Sequence, residues 1–454
     1  MNLLGSENAG TSAKARRGRR NVVLFIVSYV INNLASGVLY DTYVNYLQDV
    51  ANSAATSFWA FYGYATFVAA ALLLLVPKIG YKKLLVFCSA GTAAAFFAAV
   101  VAPSNAFVYL ATLLALTGVQ LHYIMLSPYV AAYTDSESDD GITWYTRTYY
   151  LGYVGYLLAT YFGGLLVVVA FSQVAHVAFG EAQELTRYIE DLSPALYASY
   201  LEGTRAVLLA VGAVAALSLV PVLMIHESLE DYQRKPGEDE QKEPLGVRIR
   251  KALHLLTSRP ALAYLVYWAL ISFAMGLFTS YYTVYLNRVL HIDRATASLM
   301  VSVSYVAIVV FMFFTPRVVK RIGKVGTIVF TVLASIPFML IIAWGDGFGR
   351  AVVPVVGTAL FVRAGLANLS SPADSALSMD VVPRDLRPIY TAMVNFTAGI
   401  ISIISGIFTG SVLFVNESGY RDAYYIAAVL YGLAALVLWL GCRGFNRQGE
   451  EEQA

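Results

Sequence analysis

The sequence predicts an all-α membrane protein, with twelve transmembrane helices in two pseudo-symmetric six-helix bundles. Three observations carry that expectation. The 454-residue chain is 58% hydrophobic and 13% charged, about half the charged share of a soluble domain, and its mean hydropathy is +0.63. Its apolar residues fall in blocks of about 20, long enough to cross a hydrocarbon core of about 30 Å as helices. Lipid offers the backbone no partner, so blocks of this length are helices rather than strands. The second half of the chain also repeats the first. At an offset of 239 positions Ala35 falls on Ala274, Gly37 on Gly276, Tyr43 on Tyr282, Tyr46 on Tyr285, Leu47 on Leu286, Val50 on Val289 and Pro77 on Pro316. A basic turn follows each proline, Lys78 to Lys83 in one half and Lys320 to Lys324 in the other. Two parallel halves of this kind mark a transporter that rocks one half against the other.

The twelve blocks lie at about 21–47, 57–76, 84–101, 106–131, 148–171, 204–224, 260–286, 297–315, 326–344, 350–370, 389–414 and 423–441. They define a basic cytoplasmic tail (1–20), an N-terminal bundle (21–225), a cytoplasmic linker (226–259), a C-terminal bundle (260–441) and a second cytoplasmic tail (442–454). The first block is too long for a signal-peptide core and carries Asn32, Asn33 and Asp41 inside it. Lys14, Arg16, Arg17, Arg19, Arg20, both basic turns, Arg147, Arg384 and Arg387 fall on one side of the membrane, which places both termini in the cytoplasm. Past Pro244, the stretch from Val247 to Leu256 alternates basic and apolar residues at helical spacing and reads as a surface-lying helix. In the other long connection, 172–203, Leu185, Ile189, Leu192 and Leu196 recur at helical intervals and predict an external amphipathic helix. Cys88 and Cys442 are far apart in this topology, so no disulfide is expected. No metal-ligand spacing is present, and no cofactor is expected.

On these residues the chain resembles the major facilitator superfamily, over essentially its whole length. The basic turns resemble that family's loop signature, although Lys78 to Lys83 lacks its acidic member. Ser370-Ser371-Pro372-Ala373-Asp374 through Met379-Asp380-Val381-Val382-Pro383-Arg384-Asp385-Leu386-Arg387 resembles the family's turn between segments 10 and 11. Its counterpart runs from Ser127-Pro128 through Asp135 to Arg147. The resemblance implies alternating access, with Lys78, Lys82, Asp135, Arg147, Arg321, Asp380 and Arg387 as candidate gating residues. Asp135 or Asp380 would latch a basic residue across a bundle seam; a solvated loop is the plain alternative. Removing one partner of a partly buried pair costs about 3–5 kcal/mol, whereas an exposed pair contributes little.

An ionisable side chain at the centre of a membrane helix costs at least ~2.5–3.5 kcal/mol and marks a site. Asp41, His122 and Arg363 are the candidates. Asp41 lies about 30 Å along a helix rising from the cytoplasm. It shares a face with Asn33 and Gly37, beside one carrying Asn32, Ser36 and Tyr40, a flank suited to a hydrated cavity. Asp41 and His122 are candidate ion-coupling groups; backbone capping and ordinary packing are their structural alternatives. Arg363 is placed about 20 Å down segment 10, in the cytoplasmic half, where it would hold an anionic group or satisfy helix-end carbonyls with Asp374 or Asp380. Tyr153, Tyr156, Tyr267 and Trp268 suit a cavity wall, and Tyr281, Tyr282 and Tyr285 an interfacial belt.

The expected function is secondary active transport of a small organic solute by alternating access. The substrate would meet Asn32, Asn33, Ser36, Tyr40, Gln120, Tyr153, Tyr156, Tyr267, Trp268, Arg363 and Asn395. The aromatic, sparsely charged lining is similar to that of drug-type proton antiporters and implies proton-coupled efflux of amphipathic compounds. Proton- or cation-coupled uptake of an organic anion or sugar is the alternative that Arg363 supports. Partners are the solute, protons or another coupling ion, and the lipid of the plasma or inner membrane. Nucleic acid is not expected as a partner, and the protein is expected to be a monomer. The chain holds no Gly-x-Ser-x-Gly, His-Glu-x-x-His or Gly-x-x-x-x-Gly-Lys motif, so a membrane enzyme is not expected.

Overall fold

Long apolar blocks become long helices. The computed structural model describes residues 3–101, 105–133, 139–227, 247, 250–251, 254, 257–383, 387–416 and 418–446. Numbering the membrane-length helices in chain order gives α1 (Leu3–Val38, continuing through a π turn at Leu39–Tyr43 into Val44–Val50), α2 (Phe58–Leu73), α3 (Tyr81–Val101) and α4 (Asn105–Tyr133). Then follow α5 (Asp139–Val174), α6 (Pro194–Leu217), α7 (Arg259–Phe278, continuing irregularly to Val289) and α8 (Arg294–Met312). The last four are α9 (Thr315–Ala343), α10 (Val352–Leu369), α11 (Arg387–Phe408) and α12 (Ser418–Cys442). Among the described residues eleven candidate spans meet the length and hydropathy of a membrane crossing, and α2 is a shorter apolar helix. Most of the linker, with the helix expected over 247–256, lies outside the described residues.

Contacts divide the chain into two units. One comprises Met1–Ala54, Tyr64–Val177 and Pro194–Glu238; the other comprises Ala55–Gly63, Ala178–Ser193 and Asp239–Ala454.

Both units build the basic turn with the same device. Gly80 and Gly323 have φ of +82° and +77°, with ψ of 164° and 173°, a region essentially restricted to glycine. Each turn exposes the first amides of the next helix, which need a partner. In the first unit the Glu227 carboxylate accepts from the Tyr81 amide at 2.6 Å and the Lys82 amide at 3.0 Å. In the second, Asn446 Oδ1 accepts from the Gly326 amide at 2.9 Å while its Nδ2 donates to the Ile322 carbonyl. The capping residue comes in each case from just beyond the last helix of the unit. Lys82 completes the first turn by donating from Nζ to the carbonyls of Leu223 and Ile225, at 2.7 and 2.8 Å.

The repeated glycines near residue 37 mark close helix approaches. A Cβ at Gly37 would lie 2.9 Å from the Ala159 Cβ and 3.0 Å from the Thr160 amide nitrogen of α5. At Gly276 it would meet Ser405 Oγ of α11 and the Trp59 ring. Tyr46 and Tyr285 also keep a shared role, donating to carbonyls at the far ends of α3 and α9 (Ala99, 3.2 Å; Ile342, 2.7 Å).

The connection between α5 and α6 is not one amphipathic helix. A short helix spans Phe179–Leu185, a single 3-10 turn spans Ile189–Asp191, and α6 starts at Pro194. The helical spacing of Leu185, Ile189 and Leu192 is broken because this segment is bound to the corner between α7 and α8. Gln183 donates to Asp293 at 3.0 Å, Asn287 to the Thr186 carbonyl at 2.7 Å, and Arg288 pairs with Glu190 at 3.2 Å. Tyr188 stacks on His291, a residue held at a φ of +50°. Asp293 also caps α8 by accepting from the Thr296 amide.

Candidate functional site

In the second unit, three helices bring an aromatic box around one guanidinium. Arg363 on α10 is 5% exposed. Its Nη1 donates to the Tyr282 hydroxyl on α7 and its Nη2 to the Tyr431 hydroxyl on α12, the latter at 2.7 Å. The Phe278 ring covers the guanidinium, with its centroid 4.5 Å from Cζ, a cation–π contact of the kind strengthened by desolvation. Phe278 in turn stacks on Tyr424, at 5.3 Å between centroids. Nε is buried without a hydrogen-bond partner, and among the described residues no carboxylate faces the group. A buried guanidinium normally needs a paired anion. Here two phenol oxygens and a ring face take that place, leaving its charge uncancelled and Nε without a partner.

This placement corrects the neighbours assigned from the sequence. The span does not stop at residue 370. After a turn at Ser370 it runs on as Ser371–Asp380, so Arg363 lies 17 residues, about 25 Å of helix rise, from the end on the basic-turn side. It stands beside Phe278 and Tyr282, not at helix-end carbonyls. The belt assigned to Tyr281, Tyr282 and Tyr285 is corrected too. They are 1%, 8% and 1% exposed, because each hydroxyl finds an interior partner: the Thr56 carbonyl, Arg363 and the Ile342 carbonyl.

Nearer the basic turn, Tyr267 and Tyr264 of α7 adjoin Asp374. Tyr264 donates to Asp374 Oδ2 at 3.2 Å, and Tyr267, 3% exposed, stands 5.8 Å from Tyr264 and 6.5 Å from Trp268 between ring centroids. Asn395 on α11 is exposed.

The remaining candidates lie in the first unit. Asn32 and Ser36 on α1 and Gln120 on α4 are buried. Asn33 donates to the Tyr29 carbonyl at 2.8 Å, and the Tyr40 and Tyr156 rings stand 6.3 Å apart. Tyr153 is half-buried on α5. The flank bearing Gly37 and Asp41 does not open to a cavity. Gly37 packs on α5, Asp41 is 1% exposed, and Thr42 donates to its carboxylate at 3.1 Å. Glycines on both helices, Gly37 on one and Gly155 and Gly163 on the other, permit that approach. His122 is fully buried between Phe25 and Tyr29, with ring centroids 5.4 and 5.7 Å away.

Of the gating candidates, Lys78, Arg147 and Arg321 are exposed, and Lys82 is engaged by the carbonyls that end the first unit's last span. Asp380 pairs with Lys324 of its own unit at 2.7 Å, and Arg387 donates to the Met379 carbonyl at 2.9 Å. Asp135 lies outside the described residues.

Sequence reasoning passed over Phe278 and Tyr431 and gave Tyr282 another role. The one available signal was that a lone arginine in an apolar span needs acceptors from other helices.

Solved structures with the same fold are membrane transporters. The nucleoside transporter NupG matches with a TM-score of 0.67 at 14% identity, over 94% of this chain and 99% of its own. A bacterial homolog of the human lysosomal transporter Spinster gives 0.65 at 13%, over 93% and 96%. A D-xylose-proton symporter gives 0.64 at 14%, over 93% and 97%. No curated protein matches the sequence. The family model for the Major Facilitator Superfamily matches residues 21–406. With its repeated halves, its membrane-length helices and that match over most of its length, the chain belongs to the Major Facilitator Superfamily, a family of secondary transporters.

Proposed function

We propose that this transporter carries a small organic anion, coupled to protons, by alternating access across the plasma or inner membrane, with both termini in the cytoplasm. One observation carries the reading. The Arg363 charge is sealed in the second unit and is held by phenol hydroxyls rather than a carboxylate. A planar guanidinium with a donor to spare suits a carboxylate or similar anion, and the ring faces around it suit an apolar body attached to that anion. Proton coupling is an activity named for one neighbour of the fold, the D-xylose-proton symporter. Within this chain a coupling role is proposed for Asp41 in the first unit, and a latch role for the charged residues at the basic turns.

A second reading, proton-coupled efflux of amphipathic compounds, is favoured by the aromatic pairs Tyr40–Tyr156 and Tyr267–Trp268. Flux of labelled benzoate into proteoliposomes under an imposed pH gradient separates the two. Accumulation driven by inward protons, lost at least ten-fold in Arg363→Met, supports the anion symporter. Undiminished benzoate flux in Arg363→Met removes the arginine from the site, and proton-driven expulsion of amphipathic cations instead favours efflux.

A further inference from the structure

The second unit buries an acid as well as a base. Asp374 sits one turn into Ser371–Asp380. Its Oδ2 accepts from Tyr264, and its Oδ1 is buried with no hydrogen-bond partner. The groups facing it can be named. Tyr264 and Tyr267 come from α7 and Tyr390 from α11. Tyr390 donates its own proton to the Ala261 carbonyl at 2.6 Å and has Cys442 of α12 behind it. On α9, the helix packed against this segment, Arg317, Lys320 and Arg321 are exposed, and Lys324 is taken by Asp380. Among the described residues no cation pairs with Asp374.

Arg363 is an uncompensated cation, and Asp374 an uncompensated carboxyl, 11 residues further along the same span. Tyrosines occupy the interval between them. Tyr267 is within electrostatic reach of both Asp374 and Tyr431, and the Tyr431 hydroxyl is bound to Arg363. Phenols both donate and accept, so the two charges are joined by groups that can reorient without changing their own charge.

We propose that Asp374 is the proton acceptor that works with Arg363, so that this unit takes up one proton together with one monovalent organic anion. The inference rests on the anion reading of Arg363. With Asp374 ionised, the pair is neutral and the arginine's field is partly cancelled. A proton from water forming an O–H bond at the free Oδ1 leaves Arg363 as the only charge, and one monoanion restores neutrality. On release the proton returns to water; no electrons move. A monoanion is therefore the matched substrate class, since a dianion would leave a buried negative charge and a neutral sugar a buried positive one. At about 16 Å, the Coulomb interaction at an effective dielectric of about 20 corresponds to roughly a five-fold change in anion affinity between the two states of Asp374. By linkage the anion favours proton binding by the same factor.

Benzoate binding to the purified full-length protein, followed by calorimetry between pH 5.5 and 8, tests this. The wild type should bind about five-fold more weakly at the alkaline end. In buffers of different ionisation enthalpy, it should take up about 0.4 of a proton per benzoate near the midpoint and almost none at either end of the range. Asp374→Asn imitates the protonated acid, so it should bind at the acid-limit affinity at every pH with no proton uptake. Tyr264→Phe, which removes the donor to the ionised carboxylate, should move the midpoint to higher pH while leaving the acid-limit affinity in place. Asp374→Asn that keeps the wild-type pH profile and proton uptake overturns the inference and leaves the anion site standing. Benzoate that fails to bind at any pH, or binds equally well in Arg363→Met, overturns the anion reading and this inference with it.

Discussion

His122 and Arg363 stand about half a helical turn apart in the sequence repeat, and their surroundings are opposite. His122 is boxed by Phe25 and Tyr29, and neither ring nitrogen has a hydrogen-bond partner. Arg363 lies over Phe278 and donates to two tyrosines contributed by separate helices. The elements around them, by contrast, are conserved between the two units. Both have the positive-φ glycine in the basic turn, the cap from beyond the unit's last helix, the glycine at a close helix crossing and the tyrosine bound to a carbonyl at the far end of α3 or α9. Duplication has kept the devices that fix helix ends and crossings, and polar chemistry has diverged between them.

The largest effect is expected where the comparison is sharpest. Arg363→Lys keeps a charge but loses the planar fork, and benzoate transport in proteoliposomes should fall ten-fold or more. The same measurement on His122→Gln should change flux less than three-fold; equal losses would make the two positions functional equivalents. Next come the turns. Gly80→Ala and Gly323→Ala force a side chain into a glycine-only conformation, at about 1–3 kcal/mol each. Thermal unfolding should show losses of similar size, and a gap of more than about 2 kcal/mol would break the equivalence of the two turns. The caps follow. Glu227→Ala and Asn446→Ala should each cost about 0.5–2 kcal/mol, with the carboxylate at the upper end because its hydrogen bonds are charge-assisted. Hydrogen exchange at the Tyr81 and Gly326 amides reads the loss locally. Smallest of all, His122→Leu removes a buried polar ring that has no partner, so stability should change by less than about 1 kcal/mol or rise. A loss above 2 kcal/mol would mean that the ring is held by something its neighbours do not supply.

Much of this was legible in sequence because it is local or repeated. Apolar block length gave the spans, and the 239-residue offset gave the halves. A glycine flanked by lysines after Pro77 and Pro316 marked the turns, and a lone arginine in an apolar block marked the site. What escaped was pairing across sequence distance. Tyr431 reaches Arg363 from 68 residues away, and Glu227 reaches the first basic turn from 146 residues away. No periodicity encodes either contact. The tyrosines at 281–285 looked interfacial because an amphipathic ring at a span's end satisfies a bilayer boundary and a bundle interior equally well. The segment after α5 looked like one helix because two short elements docked on another loop bury the same apolar spacing.

Cys88 and Cys442, both 0% exposed, make the natural chain a quiet background for thiol chemistry. A maleimide should label it only where an engineered cysteine has been placed in water. Single cysteines in the basic turns and in the segment after α5 would then report membrane sidedness by their reactivity toward impermeant reagents, with no need to remove the native thiols.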